Sequence, residues 1–358
     1  LEPLLCHSYP MYLPDRGDAA AGDRMTGGLF VSYGFAHFGK SLLWQCSVLI
    51  FAFYLTEVIG FEPMAMGVLV SVSLLINAGC DLANGWIMSR FVRTLRRAAL
   101  AQGVGSVFAS LAFIGFATAA YWPDFNPQVA AGVALVLFRM AYSLVDVPQN
   151  AMLAFGARTP SARARVAAVR YAAAGFALLV VTLLASVWLQ MPEAERMARF
   201  SQIAVIFAGV ACVSAWLLVP FAYSARPFDP APVAHNDEPT RVAAAHTFRR
   251  AIFAILIFSG CMPLFTKLEA YLVSFSFPEG EAAYFMVAVA CGQIFSQAGW
   301  AALGHIMPAD RLFRTAALSL LGAAFAFAVV AEAGVSAVLA LGAVYGAASS
   351  GLLTSFWS

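Results

Sequence analysis

Long apolar stretches separated by short polar ones run from residue 30 to the end of this chain. Ten stretches approach the ~20 residues that a helix needs to cross a bilayer. They are residues 30–56, 64–88, 98–121, 129–155, 168–190, 201–223, 251–276, 282–303, 312–331 and 336–357. Apolar residues continue through each without the two-residue alternation of a membrane barrel strand. The pattern predicts an all-α membrane protein with ten transmembrane helices. The polar exceptions recur at helical spacing. In the second stretch Ser73, Asn77, Asp81 and Asn84 are four, four and three residues apart. In the fourth, Arg139, Ser143, Asp146 and Asn150 are four, three and four apart. Each set stacks on one face of its helix.

Composition strengthens this reading. Of 358 residues 61% are hydrophobic and 11% charged, with a mean hydropathy of +0.79, whereas soluble domains carry about 25% charged residues. Charge then orients the helices. The connections after the second, fourth, sixth and eighth stretches hold Arg90, Arg93, Arg96 and Arg97; Arg158, Arg163 and Arg165; Arg226, Arg241, Arg249 and Arg250; and Arg311 and Arg314. The others hold mainly Glu57, Glu62, Asp124, Glu193, Glu195, Glu279 and Glu281, with Arg196 and Arg199 their only basic residues. The positive-inside rule predicts a multi-pass protein of the cell's inner membrane with a cytoplasmic N-terminus. The net charge of +2 then reflects topology and calls for no nucleic-acid partner.

The predicted organisation is a polar cytoplasmic tail at 1–28, a six-helix half at 29–223, a Pro-rich cytoplasmic linker at 224–250 and a four-helix partial half at 251–358. The tail lacks a secretory signal's charged start and apolar core, and Met25 is read as the natural start. Gly304 to Met307 with Asp310-Arg311 repeats the motif from Gly85 to Arg90, as a parallel duplication requires. Six scattered cysteines without a CxxC pair read as packing residues. No metal or cofactor is implied. No nucleophile and base, zinc motif or phosphate loop stands at usable spacing, so the chain does not read as an enzyme.

Several residues need explaining. A carboxylate deep in a membrane helix costs roughly 2.5–3.5 kcal/mol on insertion scales, so Asp81 is expected to face a partner or a wet cavity. On the first helix Tyr33, His37, Lys40 or Ser41, and Trp44 recur on one face, and Lys40 either snorkels to the headgroups or stands beside the polar face of the second helix. Arg139 and Asp146 either neutralise each other or serve a site. Arg170 sits a turn into the fifth stretch. In the second half, Lys267 shares a face with Thr266, Tyr271 and Ser274, and Gln293, Trp300, Tyr345 and Ser349 offer hydrogen-bonding and stacking groups.

Three stretches carry a family resemblance: SYGFAHFGK at 32–40, Ile76 to Gly85, and Ala141 to Arg170. Together they resemble the glycoside–pentoside–hexuronide:cation symporters of the major facilitator superfamily. The resemblance implies a major facilitator-type bundle, its N-terminal half complete with six helices and its C-terminal half cut after four. It implies a secondary transporter importing a glycoside or similar small polar solute by alternating access. The family's two cation-binding aspartates fall at Asn77 and Asp81, and its hydroxyl ligand at Ser143. One remaining carboxylate favours H⁺ over Na⁺ as the coupling cation. Asp146 matches a sugar-binding carboxylate and Arg170 an arginine near the sugar. Ser41 replaces the family's first-helix aspartate and Asn150 its stacking tryptophan. Gly85 and Arg90 match the gating-loop motif, with Ser89 in its aspartate position and Asp310 and Arg311 as counterparts in the second half. The expected solute ligands are Asp146, Asn150, Arg170, Lys40, Lys267, Gln293 and Trp300; the ion ligands are Asp81, Asn77 and Ser143. The partners implied are the solute and membrane lipid, with no obligate protein partner. Two alternatives follow from the altered positions: transport of an amphipathic or lipid-like solute, and a transport-inactive sensor or truncated gene product.

Overall fold

The computed structural model describes residues 27–92, 94–122, 124–156, 160–224, 271, 282–330 and 334–357. In chain order the helices are α1 (Gly27–Leu49), α2 (Phe51–Glu57), α3 (Pro63–Phe91), α4 (Leu95–Ala117), α5 (Pro127–Gly156), α6 (Pro160–Leu189), α7 (Glu193–Ser224), α8 (Ala282–Ile306), α9 (Ala309–Val330) and α10 (Val335–Trp357). No strand occurs among the described residues, so the all-α expectation holds.

Seven of these helices are long and apolar enough to span a membrane. The pair α1 and α2, bent by 46° at Ile50, makes an eighth span if taken as one. Helix α9 is not among them, and the predicted seventh stretch lies outside the described residues except for Tyr271. Lys267 also falls outside them, as do the predicted tail and linker except for Gly27 and Gly28, which open α1, and Ser224, which ends α7.

Local chemistry sets where the helices begin. Pro63 opens α3 at a position where its missing N–H is no loss. The Thr94 hydroxyl accepts from the Arg97 amide at the start of α4, and the Asn126 side chain accepts from the Gln128 and Val129 amides ahead of α5. Two helices start earlier than hydrophobicity predicts, α6 at Pro160 and α7 at Glu193. The first turn of α7 is polar, and Glu193 and Glu195 there complement the helix dipole. Arg196 then donates to the carbonyls of Met191 and Leu189 at the end of α6. Arg196 is therefore a cap, which explains a basic residue in an otherwise acidic connection.

Packing runs α1 against α6 and α7, α4 against α5 and α7, and α3 against α5. A second group joins α8 and α9 to α10. At the α2 end an aromatic core gathers Phe51, Tyr54, Phe113, Phe116, Phe138, Trp188 and Phe200, with the Phe51 and Phe116 rings 4.0 Å apart. The groups meet where α6 packs on α8; the Thr56 hydroxyl also lies 2.8 Å from that of Tyr271, in the predicted seventh stretch.

Candidate solute and cation site

Four helices surround a cavity of about 220 Å³. Helix α1 contributes His37, Lys40, Ser41, Trp44 and Gln45, α3 Asn77 and Asp81, α5 Tyr142 and Asp146, and α6 Arg170 and Ala174. The polar stripes predicted on α3 and α5 thus meet, and the first helix faces both. Lys40 does not snorkel. It is 4% exposed, and its ammonium forms an ion pair with Oδ1 of Asp146. In a low-dielectric span such pairing offsets the cost of burying both charges.

Asp146 is satisfied at both oxygens, because Oδ2 accepts from the Asn150 amide at 2.8 Å. Arg170 donates to the Asn150 carbonyl oxygen at 2.6 Å. Asn150 therefore links Asp146 to Arg170, one turn of α5 from the carboxylate. The Arg139–Asp146 pair weighed from sequence does not form. The two residues share a face of α5 but are about 10 Å apart along its axis at 1.5 Å per residue. The Arg139 guanidinium instead donates to the Ser47 hydroxyl at 3.2 Å and lies over Trp44, 5.2 Å from the ring centroid.

Asp81 is held differently. Its Oδ2 accepts from the Asn77 amide one turn earlier, at 2.8 Å. Its Oδ1 and the Asn77 Oδ1 are both buried without a donor. Ser143 is fully buried, and its hydroxyl accepts from Asn84, the last member of the α3 stripe. The cavity thus holds an ion-paired carboxylate and a second one, Asp81, whose neighbouring side-chain donors are Asn77 and the Ser143 hydroxyl.

The remaining expected residues lie elsewhere. Gln293 donates to the Ser349 hydroxyl at 3.3 Å, and the Trp300 indole N–H donates to the Ala347 carbonyl at 2.8 Å. Both tie α8 to α10 and neither lines the cavity. The Gly85 backbone faces open space, and the Arg90 guanidinium lies 4.7 Å over Trp86 on its own helix. Asp310 opens α9, where Arg311 is exposed.

The first-helix face of Tyr33, His37 and Trp44 read from the sequence meets α5, whereas its partners there, Gln149 and Tyr142, escaped notice. His37 donates through Nδ1 to the Gln149 side chain at 3.0 Å, and the Tyr33 hydroxyl donates to the Gln149 carbonyl at 3.2 Å. Trp44 stacks on Tyr142, 5.1 Å between centroids. The signal was positional: His37 is three residues before Lys40, Trp44 four after it, and Tyr142 four before Asp146.

Known proteins resemble this chain in sequence and in fold. A stretch of 128 residues is 30% identical to YagG of Escherichia coli (strain K12), which is named as a glycoside/cation symporter; it covers 34% of this chain and about a quarter, 26%, of that relative. The fold matches a crystal structure of a D-xylose-proton symporter with a TM-score of 0.60 at 12% identity, over 91% of this chain and 81% of that one. The family of MFS/sugar transport proteins matches residues 32–358. With that match across nearly the whole sequence, the chain belongs to the MFS/sugar transport protein family and is a multi-pass membrane protein.

Proposed function

We propose that the protein imports a glycoside or a similar small polar solute by alternating access, driven by a coupled cation, with H⁺ preferred to Na⁺. The observation that carries the reading is the pair of buried acceptors, Asp81 Oδ1 and Asn77 Oδ1, that lack a donor beside a cavity whose other carboxylate is already paired. A proton on Asp81 turns one of these acceptors into a donor. A hard metal cation draws affinity from several oxygen ligands, including anionic ones, and only one unpaired carboxylate stands here. Solute hydroxyls would bind Asp146, Asn150, Arg170 and Lys40; the coupling ion would bind Asp81, with Asn77 and Ser143 at hand.

The size of the cavity favours a small solute over a lipid-like one. At about 220 Å³ it lies below the roughly 300–1,000 Å³ usual for drug-sized ligands. The surrounding organisation follows the same reading. Residues 29–223 and 251–358 form two halves joined by a cytoplasmic linker at 224–250, behind a cytoplasmic tail at 1–28. The arginine-rich ends of the helices lie inside the cell.

Proteoliposomes containing the full chain test this with labelled methyl glycosides of glucose, galactose and xylose. An inward proton gradient should drive accumulation, and Asp81→Asn should abolish it while leaving solute exchange at equilibrium. Full gradient-driven accumulation in Asp81→Asn would remove Asp81 from coupling. Equal drive by sodium at clamped pH would overturn the preference for H⁺.

A further inference from the structure

Sugar sites pair hydroxyl-binding polar groups with a flat apolar face for the ring's C–H surface. The position at which the resembling family carries its stacking tryptophan is Asn150, and that side chain is committed to Asp146 and Arg170. We propose that Trp44 supplies the missing face and stacks against the sugar ring of the transported solute. This inference rests on the glycoside reading above.

Three observations carry it. Trp44 lines the same cavity as Lys40, Asp146 and Arg170, and it stands one helical turn beyond Lys40, so the ring lies alongside the polar end of the cavity. It is half-buried, whereas Tyr142, stacked on it at 5.1 Å with planes 28° apart, is 5% exposed. The indole thus keeps exposed surface and lines the cavity, whereas its partner Tyr142 is closed in. The orientation of the indole is fixed by α5. Arg139, 1% exposed, lies over the indole and donates to Ser47 three residues along α1 from Trp44, so two side chains of α5, three residues apart, hold the ring from that helix's side. A buried arginine with no carboxylate contact among the described residues has in this arrangement a positioning role. Cation–π contact with an indole is the geometry it adopts. The cavity volume, about 220 Å³, suits one sugar ring beside this face.

The test uses the purified full chain in lipid nanodiscs with methyl and 4-nitrophenyl β-glycosides of glucose, galactose and xylose. Affinity is read by calorimetry and contact by methyl-glycoside quenching of tryptophan emission. Trp44→Leu keeps an apolar side chain but removes the flat ring, and should weaken binding roughly three- to tenfold. Trp44→Phe should retain most of the affinity yet lose the quenching, which Trp188→Phe in the distant aromatic core should keep. If Trp44→Leu does not fold, the Phe variant's quenching decides. Undiminished affinity in Trp44→Leu, or undiminished quenching in Trp44→Phe, overturns the proposal. If the wild type binds while Asp146→Asn does not, such a result removes Trp44 alone and leaves the glycoside reading standing. If the wild type binds none of these sugars, the glycoside reading fails and the stacking role with it.

Discussion

At the scale of residues, the ion pair between Lys40 and Asp146 fixes the polar end of the cavity. Removing either charge leaves the other without its partner in a membrane-spanning cavity, which is the costly way to break such a pair. Lys40→Met should therefore destabilise the protein by about 1–3 kcal/mol. The cost is below that of a sealed pair because Asp146 is 32% exposed on its side chain. Lys40→Met with Asp146→Leu should recover part of that loss, since both charges are then gone. Thermal unfolding in detergent measures the single and double variants. If the double variant loses the full sum of the two single losses, the coupling is absent. The sequence made Asp81, Asn77, Ser143 and Asp146 legible because polar residues in an apolar helix reveal their face by spacing alone. It did not reveal partners. Lys40 finds Asp146 across 106 residues and His37 finds Gln149 across 112, and helical periodicity carries no information about which helices meet. For the same reason Gln293 and Trp300 looked like solute ligands, while the structure turns both onto α10.

At the scale of elements, glycine lets backbones approach where helices cross. A Cβ added at Gly105 of α4 would stand 2.5 Å from the carbonyl oxygen of Leu144 in α5. Pro148, four residues on, has no N–H to give that carbonyl. The freed acceptor thus faces a glycine from the neighbouring helix, which keeps α5 continuous from Pro127 to Gly156 and close to α4. Helices α8 and α10 use a reciprocal arrangement: a Cβ at Gly292 would meet Ala343 O at 2.0 Å, and one at Gly346 would meet Val289 O at 2.0 Å. Backbone cannot yield as a flexible side chain can. Gly105→Val and Gly346→Val should each destabilise by ~1–3 kcal/mol through overpacking. Gly67→Val, with nothing within 4 Å of the added carbon, should cost far less; melting curves of the three distinguish them. Element positions were the most legible feature of this sequence, since apolar length sets where a bilayer span lies. Helix starts were less so, because the polar first turns of α6 and α7 lie outside the apolar run.

At the scale of the whole molecule, the described residues show two contacts that join separate parts of the bundle. One contact is α6 on α8, where a Cβ at Gly175 would stand 3.0 Å from Ile294. The other is at α2, where Thr56 and Tyr271 bring their hydroxyls to 2.8 Å and the Phe53 and Tyr271 rings lie 5.5 Å apart. In the proposed alternating-access cycle one half rocks against the other around a central site. Tyr271 lies in the predicted seventh stretch, which that organisation puts in the second half, so this contact should open once in each cycle. Locking it should stop transport without touching the cavity. In a background with the native cysteines replaced by serine, Thr56→Cys with Tyr271→Cys bridged by a short bifunctional maleimide should lose sugar uptake. Each single variant, treated alike, should keep it, and so should the untreated pair. Binding of 4-nitrophenyl glycosides in detergent, where both ends are accessible, should persist in the bridged protein. That combination separates an arrested cycle from a damaged site. Unimpaired uptake by a fully bridged protein would mean that the α2 contact stays closed throughout the cycle, and the moving surface would then have to lie between α6 and α8.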